Sequence, residues 1–218
     1  MKQVLFFCTA GCLCYVMNWK CYFCKNALTN PRECGTLKLY RKDGAVLLHA
    51  IGSKKELTEL EYYAHVADIL ENEWVQELKN YRHHISTNRF QHCVNVSYYN
   101  YLICRFFRLD ATSAARAGML HDLYYYDTKD YRRSNHTESH NMHHPNVALS
   151  NACELFSVNA TEEDMISKHM WPLSKERPHS KEGYVIVVVD KYCAALEFFA
   201  PKMRTAVQKL RRKKKAAA

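Results

Sequence analysis

Several histidines and carboxylates in this chain fall inside or at the ends of apolar segments. The 218-residue sequence contains 12 histidines, and polar side chains in such places need partners because burying them unpaired is costly. Neutral imidazole and carboxylate groups together suit transition-metal ions such as Mn, Fe or Zn. The candidates are His92, His121, Asp122, His144, His169 and Asp190. We predict that these six side chains are the ligands of a metal centre.

The adjacent pair His121-Asp122 limits the geometry of that centre. Successive helical residues point about 100° apart, so the two side chains cannot simply chelate one ion side by side. Either the pair ends a helix where the backbone turns, or Asp122 bridges two ions while His121 binds only one. Six ligands exceed what one ion with open positions requires. With Asp122 bridging, the set would fit two ions that each keep room for water or substrate.

The elements that position the first ligands are predicted to be helices. Apolar residues at helical spacing indicate an amphipathic helix from Leu57 to about Tyr81, and a second helix is predicted from His92 to Phe107. Either Asp110 or Thr112 could cap a third helix, which leads into the His121-Asp122 pair.

The later ligands are also predicted to lie on helices. Pro145 suits the first turn of a helix that runs through Phe156. Thr161, with Asp164 three residues later, resembles a weak capping box for a helix that ends near His169.

The order of these residues resembles the six-ligand branch of the HD superfamily of metal-dependent phosphohydrolases. The resemblance covers roughly residues 84 to 200. The motifs that carry it are Arg89-Phe90-Gln91-His92, Ala117-Gly118-Met119-Leu120-His121-Asp122, His144-Pro145-Asn146-Val147-Ala148, Ile166-Ser167-Lys168-His169 and Val189-Asp190-Lys191. The resemblance implies an all-α HD-domain helical bundle that holds one or two divalent transition-metal ions. Fe or Mn is expected, with Zn, Ni, Co or Mg as alternatives, and Asp122 is expected to bridge.

The function implied by the resemblance is hydrolysis of a phosphate ester or anhydride of a nucleotide or small metabolite by a metal-bound hydroxide. Two alternatives stay open, a di-iron oxygenase of the same superfamily and a non-catalytic, nucleotide-binding regulator. We assign catalytic roles to Asp122, His143 and Lys191. Contacts with the substrate phosphate are expected from Arg89, Lys129 and His140.

Two local features complicate this interpretation. Many HD hydrolases follow the His-Asp pair with a Gly-Lys segment whose lysine meets phosphate, whereas this chain has Leu123-Tyr124-Tyr125-Tyr126-Asp127. The run Val185-Ile186-Val187-Val188-Val189 favours a buried β-strand by propensity. The resemblance implies a helix there, and we expect a helix because tertiary context often overrides propensity.

The composition suggests three parts: a Cys-rich, basic extension (1–55) that is poorly defined or disordered, the HD domain (56–207) and a basic tail (208–218). The extension carries nine basic and two acidic side chains and the tail six basic and none acidic, whereas the middle part carries 16 basic and 20 acidic side chains. Because the excess charge lies at the two ends, nucleic acid is not an expected partner. A homodimer is compatible with the sequence.

Six of the ten cysteines lie between Cys8 and Cys34. They could form a zinc knuckle from Cys12, Cys14, Cys21, Cys24 and Cys34, or belong to a poorly ordered extension. The other four are scattered singly among apolar neighbours and are predicted to be reduced, buried small hydrophobic side chains of a cytoplasmic protein. No apolar run approaches the roughly 20 residues that a membrane-spanning helix needs.

Overall fold

The computed structural model describes residues 48–83, 87–134 and 136–216, together with four two-residue strands nearer the amino terminus. Within these ranges, side chains are described between residues 48 and 199, except at residue 59. The chain divides into two compact units, Met1–Ala45 and Val46–Ala218.

The first unit contains two antiparallel strand pairs. Strand β1 (Phe6–Phe7) pairs with β2 (Leu13–Cys14), and β3 (Val16–Met17) pairs with β4 (Lys20–Cys21). Cys12, Cys24 and Cys34 of the predicted zinc knuckle lie outside the described residues, as do the side chains of Cys14 and Cys21. The zinc knuckle and the predicted part boundaries therefore stay predictions.

The second unit is helical, which confirms the predicted all-α class. Its helices are α1 (Glu61–Leu70), α2 (Glu73–Glu77), α3 (Arg89–Phe106), α4 (Ala111–Leu120), α5 (Thr128–Arg133), α6 (His140–Leu155), α7 (Ala160–Lys168) and α8 (Lys181–Ala216). Short 3₁₀ turns occupy Leu57–Glu59 and Leu78–Asn80, and strands β5 (Arg82–His83) and β6 (Thr87–Asn88) form a small antiparallel pair just before α3. Within the described ranges, none of the helices combines the length and apolar character that crossing a membrane requires.

The single helix predicted from residue 57 to 81 was wrong, because the segment is broken near residue 72. The side chain of Asn72 accepts a hydrogen bond from the Trp74 backbone N–H at 2.9 Å and caps α2. Asparagine favours such caps because its side chain competes with the helical backbone for hydrogen bonds.

Two predicted helix starts were also wrong. Helix α6 begins at His140, so Pro145 lies inside it, where proline removes one backbone hydrogen bond without ending the helix. Helix α7 is capped by Asn159 rather than Thr161. Asn159 forms a complete capping box with Glu162, whose backbone N–H donates to the Asn159 side chain at 2.9 Å.

The run 185–189 lies in α8, as expected from the resemblance rather than from strand propensity. Ile186, Val187 and Val189 are buried, whereas Val188 is 66% exposed. A helix with one face against the core produces this pattern, and packing therefore outweighs the β-propensity of the valines. Helix α8 also continues through the boundary predicted at residue 207.

Helix α3 is central in this unit and packs against both α4 and α8. The contact with α4 depends on Gly118, since a Cβ added there would lie 2.5 Å from the Ser97 Cα and 2.8 Å from the Ser97 backbone nitrogen. The absence of a side chain lets the two backbones approach, and α3 and α4 carry His92 and the His121-Asp122 pair. The close contact thus positions the first half of the predicted ligand set.

Candidate metal centre

The six predicted ligands reach one region from different helices. His92 lies in the first turn of α3, His144 in the second turn of α6 and Asp190 within α8, whereas His121 and His169 are the C-cap residues of α4 and α7. Asp122 directly follows His121. The four histidines and Asp122 are buried, and the Asp190 side chain is 14% exposed. The predicted convergence of six side chains is therefore present.

One part of the cluster surrounds Asp190. The Nε2 atom of His92 lies 3.0 Å from Asp190 Oδ1, and the Nε2 atom of His121 lies 3.8 Å from the same oxygen. His92, His121 and Asp190 form one of the groups whose donor atoms are close enough to hold an ion.

The second part of the cluster surrounds the carboxylate of Asp122. Its Oδ1 atom lies 3.3 Å from His144 Nε2 and 3.7 Å from His169 Nε2. Its Oδ2 atom lies 3.9 Å from His121 Nε2. The two carboxylate oxygens thus face different histidines, which is the arrangement that a bridging carboxylate needs. The pair also ends helix α4, which is the first of the two geometric alternatives, and the bridging role of Asp122 stays a prediction.

Three of the histidines are oriented by their own helices. Each Nδ1 lies at hydrogen-bonding distance from a backbone carbonyl oxygen: His121 at 2.9 Å from Gly118, His144 at 2.8 Å from His140 and His169 at 2.8 Å from Ile166. A carbonyl can only accept, so each Nδ1 carries the proton and each Nε2 keeps its lone pair. Metal-binding histidines are commonly held in this way.

The residues fit a transition-metal ion. The Nε2 atoms of His144 and His169 lie only 2.9 Å apart, and two lone pairs this close repel each other unless a proton or a metal ion lies between them. The buried Nε2 atom of His121 also has no hydrogen-bond partner among the described residues. Imidazole and carboxylate donors suit Mn, Fe, Zn and similar ions, and the identity of the metal stays a prediction.

Glu197 is a functional residue that the sequence prediction missed. Its fully buried carboxylate lies 3.1 and 3.2 Å from His92 Nδ1 and accepts hydrogen bonds from the Asn95 amide at 2.8 Å and the Thr87 hydroxyl at 2.9 Å. It orients the His92 ring, as carboxylates behind metal-bound histidines do. A lone carboxylate seven residues after Asp190, on the same face of an apolar helix, was the available signal.

His83 is the second missed residue. It lies on β5, and its ring centroid is 4.1 Å from that of His92. The donor atoms of His83, His92 and Asp122 are also close enough together to hold an ion. The sequence analysis did not include His83 among the ligands, because the β5–β6 pair that folds it over α3 has no local signal.

The charges of the cluster shift its pKa values. Burial alone would lower the pKa of His92, but hydrogen bonds to Asp190 and Glu197 raise it to about 10. Burial lowers the pKa of His169 to about 3 and also lowers that of His121. Burial opposes ionisation of Asp122, yet the neighbouring histidines hold its pKa well below the usual range. Neutral imidazoles at His121 and His169 beside an ionised Asp122 are the protonation states that metal binding requires, whereas His92 would have to release a proton when an ion binds.

Arg89, predicted to bind phosphate, is only 1% exposed. Its guanidinium donates to the backbone carbonyls of Tyr124 and Tyr126 at 2.6 and 3.1 Å and lies 3.6 Å from the centroid of the Tyr124 ring. In this structure Arg89 therefore holds the segment that follows the His121-Asp122 pair.

The other residues with predicted catalytic or substrate-binding roles differ in whether they contact the predicted ligands. The Lys191 ammonium donates to the His169 carbonyl at 3.2 Å, and burial lowers its pKa. His140 stacks on His144 with ring centroids 4.5 Å apart. His143 instead contacts Tyr131, with centroids 5.0 Å apart, and Lys129 is exposed on α5. The catalytic and substrate-binding roles of these residues stay predictions.

A cavity of about 280 Å³ lies beside the cluster. Its lining residues are Tyr131, Arg132, Ser134, His136, Glu138, Ser139, His140 and Asn141. His140 connects the cavity with the ligands through its contact with His144. The lining thus contains one basic arginine, the acidic Glu138, two histidines, one tyrosine and three uncharged polar residues.

Comparison with known families identifies one match. The family model described as HD domain matches residues 89–195, a range that contains all six predicted ligands. No curated protein and no solved structure matches the chain.

Proposed function

We propose that the protein is a phosphohydrolase of small phosphorylated metabolites. The premise is that residues 89–195 are an HD domain and that the chain belongs to this superfamily of metal-dependent hydrolases. A nucleotide is the substrate class that we expect. The observation that carries the proposal is the convergence of four histidines and two aspartates. Three of those imidazoles direct unprotonated Nε2 atoms into one buried cluster.

The six predicted ligands would be shared between two ions. His92, His121 and Asp190 would hold one ion and His144 with His169 the other, with Asp122 between them. When bound, such ions supply a hydroxide nucleophile at neutral pH and neutralise charge on phosphate oxygens. Glu197 keeps His92 in the correct orientation, and the Nδ1 hydrogen bonds of the other histidines fix their tautomers.

The surroundings of the cluster favour an anionic substrate of modest size. Lys191 is half-buried next to Asp190 and can place its ammonium against a phosphate oxygen. The cavity behind His140 adds Arg132 and His136, and its volume lies near the lower limit for small-molecule sites. A lysine from a Gly-Lys segment is absent after the His121-Asp122 pair, so these side chains would have to supply the phosphate contacts.

The test is metal analysis of the purified protein, combined with a panel of phosphate esters and anhydrides assayed under Mn²⁺ and Fe²⁺. We expect metal-dependent phosphate release that is lost in Asp122→Ala. The matched control is Asp68→Ala, because Asp68 is 56% exposed and pairs with Arg116 outside the cluster. Oxygen consumption without phosphate release would refute the proposal in favour of an oxygenase. Nucleotide binding without turnover would refute it in favour of a regulator.

A further inference from the structure

His83 is held in place by the short strand pair that precedes α3. Strand β5 pairs with β6 in the register His83 to Thr87, and β6 leads directly into α3. The Thr87 hydroxyl, which has one proton to share between this contact and Glu197, lies 3.0 Å from the His83 carbonyl oxygen. This hairpin turns the chain back, so that His83 lies over the first turn of α3, where His92 is located. The two imidazole rings lie at 33° to each other with their centroids 4.1 Å apart.

The position of His83 is close to that of a metal ligand. Its donor atom lies within 4.8 Å of donor atoms of His92 and Asp122. Two ligands on one ion, with bonds of about 2.1 Å, lie at most about 4.2 Å apart. A change of a few tenths of an ångström in each side chain would therefore bring the donor atoms of His83, His92 and Asp122 to the spacing that one ion requires.

We propose that His83 is a further protein ligand of the ion on the His92 side of the centre, an inference that rests on the metal centre of the proposed function. That ion would then be held by His83, His92, His121, Asp190 and the shared carboxylate of Asp122. The ion on the other side would have only His144, His169 and Asp122.

This asymmetry determines where the reaction takes place. A six-coordinate ion with five protein ligands keeps one position for water or substrate, whereas one with three keeps three. The ion on the His144 side is the one next to His140 and the cavity. The phosphate group of the substrate would therefore bind on the His144 side, and the ion near His83 would serve mainly as a fixed positive charge.

The test is titration of the metal-free protein with Co²⁺ alone, followed by calorimetry and by visible absorption. The variants are His83→Ala and His83→Gln, and the control is His65→Ala, since His65 contacts Thr112 and Tyr101 away from the cluster. We expect both His83 variants to bind one Co²⁺ equivalent at least tenfold more weakly and to show an altered ligand-field spectrum. His65→Ala should match the wild type in both.

A folded His83 variant with the wild-type Co²⁺ affinity and spectrum would overturn the proposal. The glutamine variant keeps the size of the side chain, so it serves as the decisive measurement if the alanine variant does not fold by circular dichroism. The proposed phosphohydrolase function fails by a different result, because Co²⁺ binding does not depend on turnover. Wild-type protein that binds Co²⁺ through His83 but releases no phosphate would refute only that function.

Discussion

Replacing Glu197 with glutamine tests whether the metal centre depends on the carboxylate behind His92. In the structure Glu197 is fully buried, and both of its oxygens lie within 3.2 Å of His92 Nδ1. Glutamine keeps the size of the side chain and one acceptor oxygen, but it removes the negative charge. The His92 imidazole then loses basicity and part of its fixed orientation.

The expected magnitude follows from the position of Glu197. Loss of such a partner costs about 10–100-fold in metal affinity, which corresponds to about 1.4–2.8 kcal/mol. We expect Glu197→Gln to fall in the upper half of this range. The carboxylate also accepts hydrogen bonds from Asn95 and Thr87, so its replacement disturbs three donors together.

The assay is calorimetric titration with Mn²⁺, and Glu162→Gln is the control. Glu162 is equally buried at 2% exposure and closes the capping box of α7, with its carboxylate 3.3 Å from the Arg116 Nε atom. We expect Glu162→Gln to lower the melting temperature while changing metal affinity less than twofold. A folded Glu197→Gln protein that binds Mn²⁺ within twofold of the wild type would show that Glu197 does not support the site.

Three further predictions concern stability, each measured as the free energy of unfolding in urea. Burial opposes ionisation of Asp164, but Lys168 and donors of the loop before α8 lower its pKa to about 2 from 3.8. Asp164→Asn should therefore cost about 1.5–3 kcal/mol at pH 7, with the difference from wild type present above about pH 4 and shrinking towards pH 2; a constant difference would contradict the assignment. Gly118→Ala should cost about 1–3 kcal/mol, because its Cβ meets the Ser97 backbone; wild-type stability would show that the α3–α4 contact is looser. Arg89→Lys should cost about 1.5–3 kcal/mol, because an ammonium cannot donate to both loop carbonyls as the guanidinium does. An unchanged free energy of unfolding would show that these two hydrogen bonds do not stabilise the fold.

The convergence of the six candidate ligands could be predicted from sequence because its signals are local. Each of the six residues lies in a short motif at the end or inside of an apolar helix, and their order along the chain carries the resemblance. The helical state of residues 185–189 was also predictable, but only from the resemblance, since the propensity of the valines favours a strand.

The missed features depend on contacts that are distant in sequence. His83 reaches the cluster through a two-residue strand pair, and Glu197 approaches His92 from a helix 105 residues later. The position of Arg89 depends on the loop carbonyls that it meets in the folded chain, so its guanidinium could not be distinguished from a phosphate-binding one. The helix break at Asn72 had a local signal, since asparagine is a common cap.

The helix ends at His121 and His169 have a consequence for the order of binding. Because α4 and α7 both end at the centre, two carboxyl-terminal dipoles add negative charge to that of Asp122 and Asp190. A phosphorylated ligand is repelled from such a site until cations neutralise it. We therefore expect ordered loading, with metal first and the anion second, so that the apparent affinity for substrate rises with free metal concentration. The free metal concentration would then determine the fraction of the protein that can bind substrate.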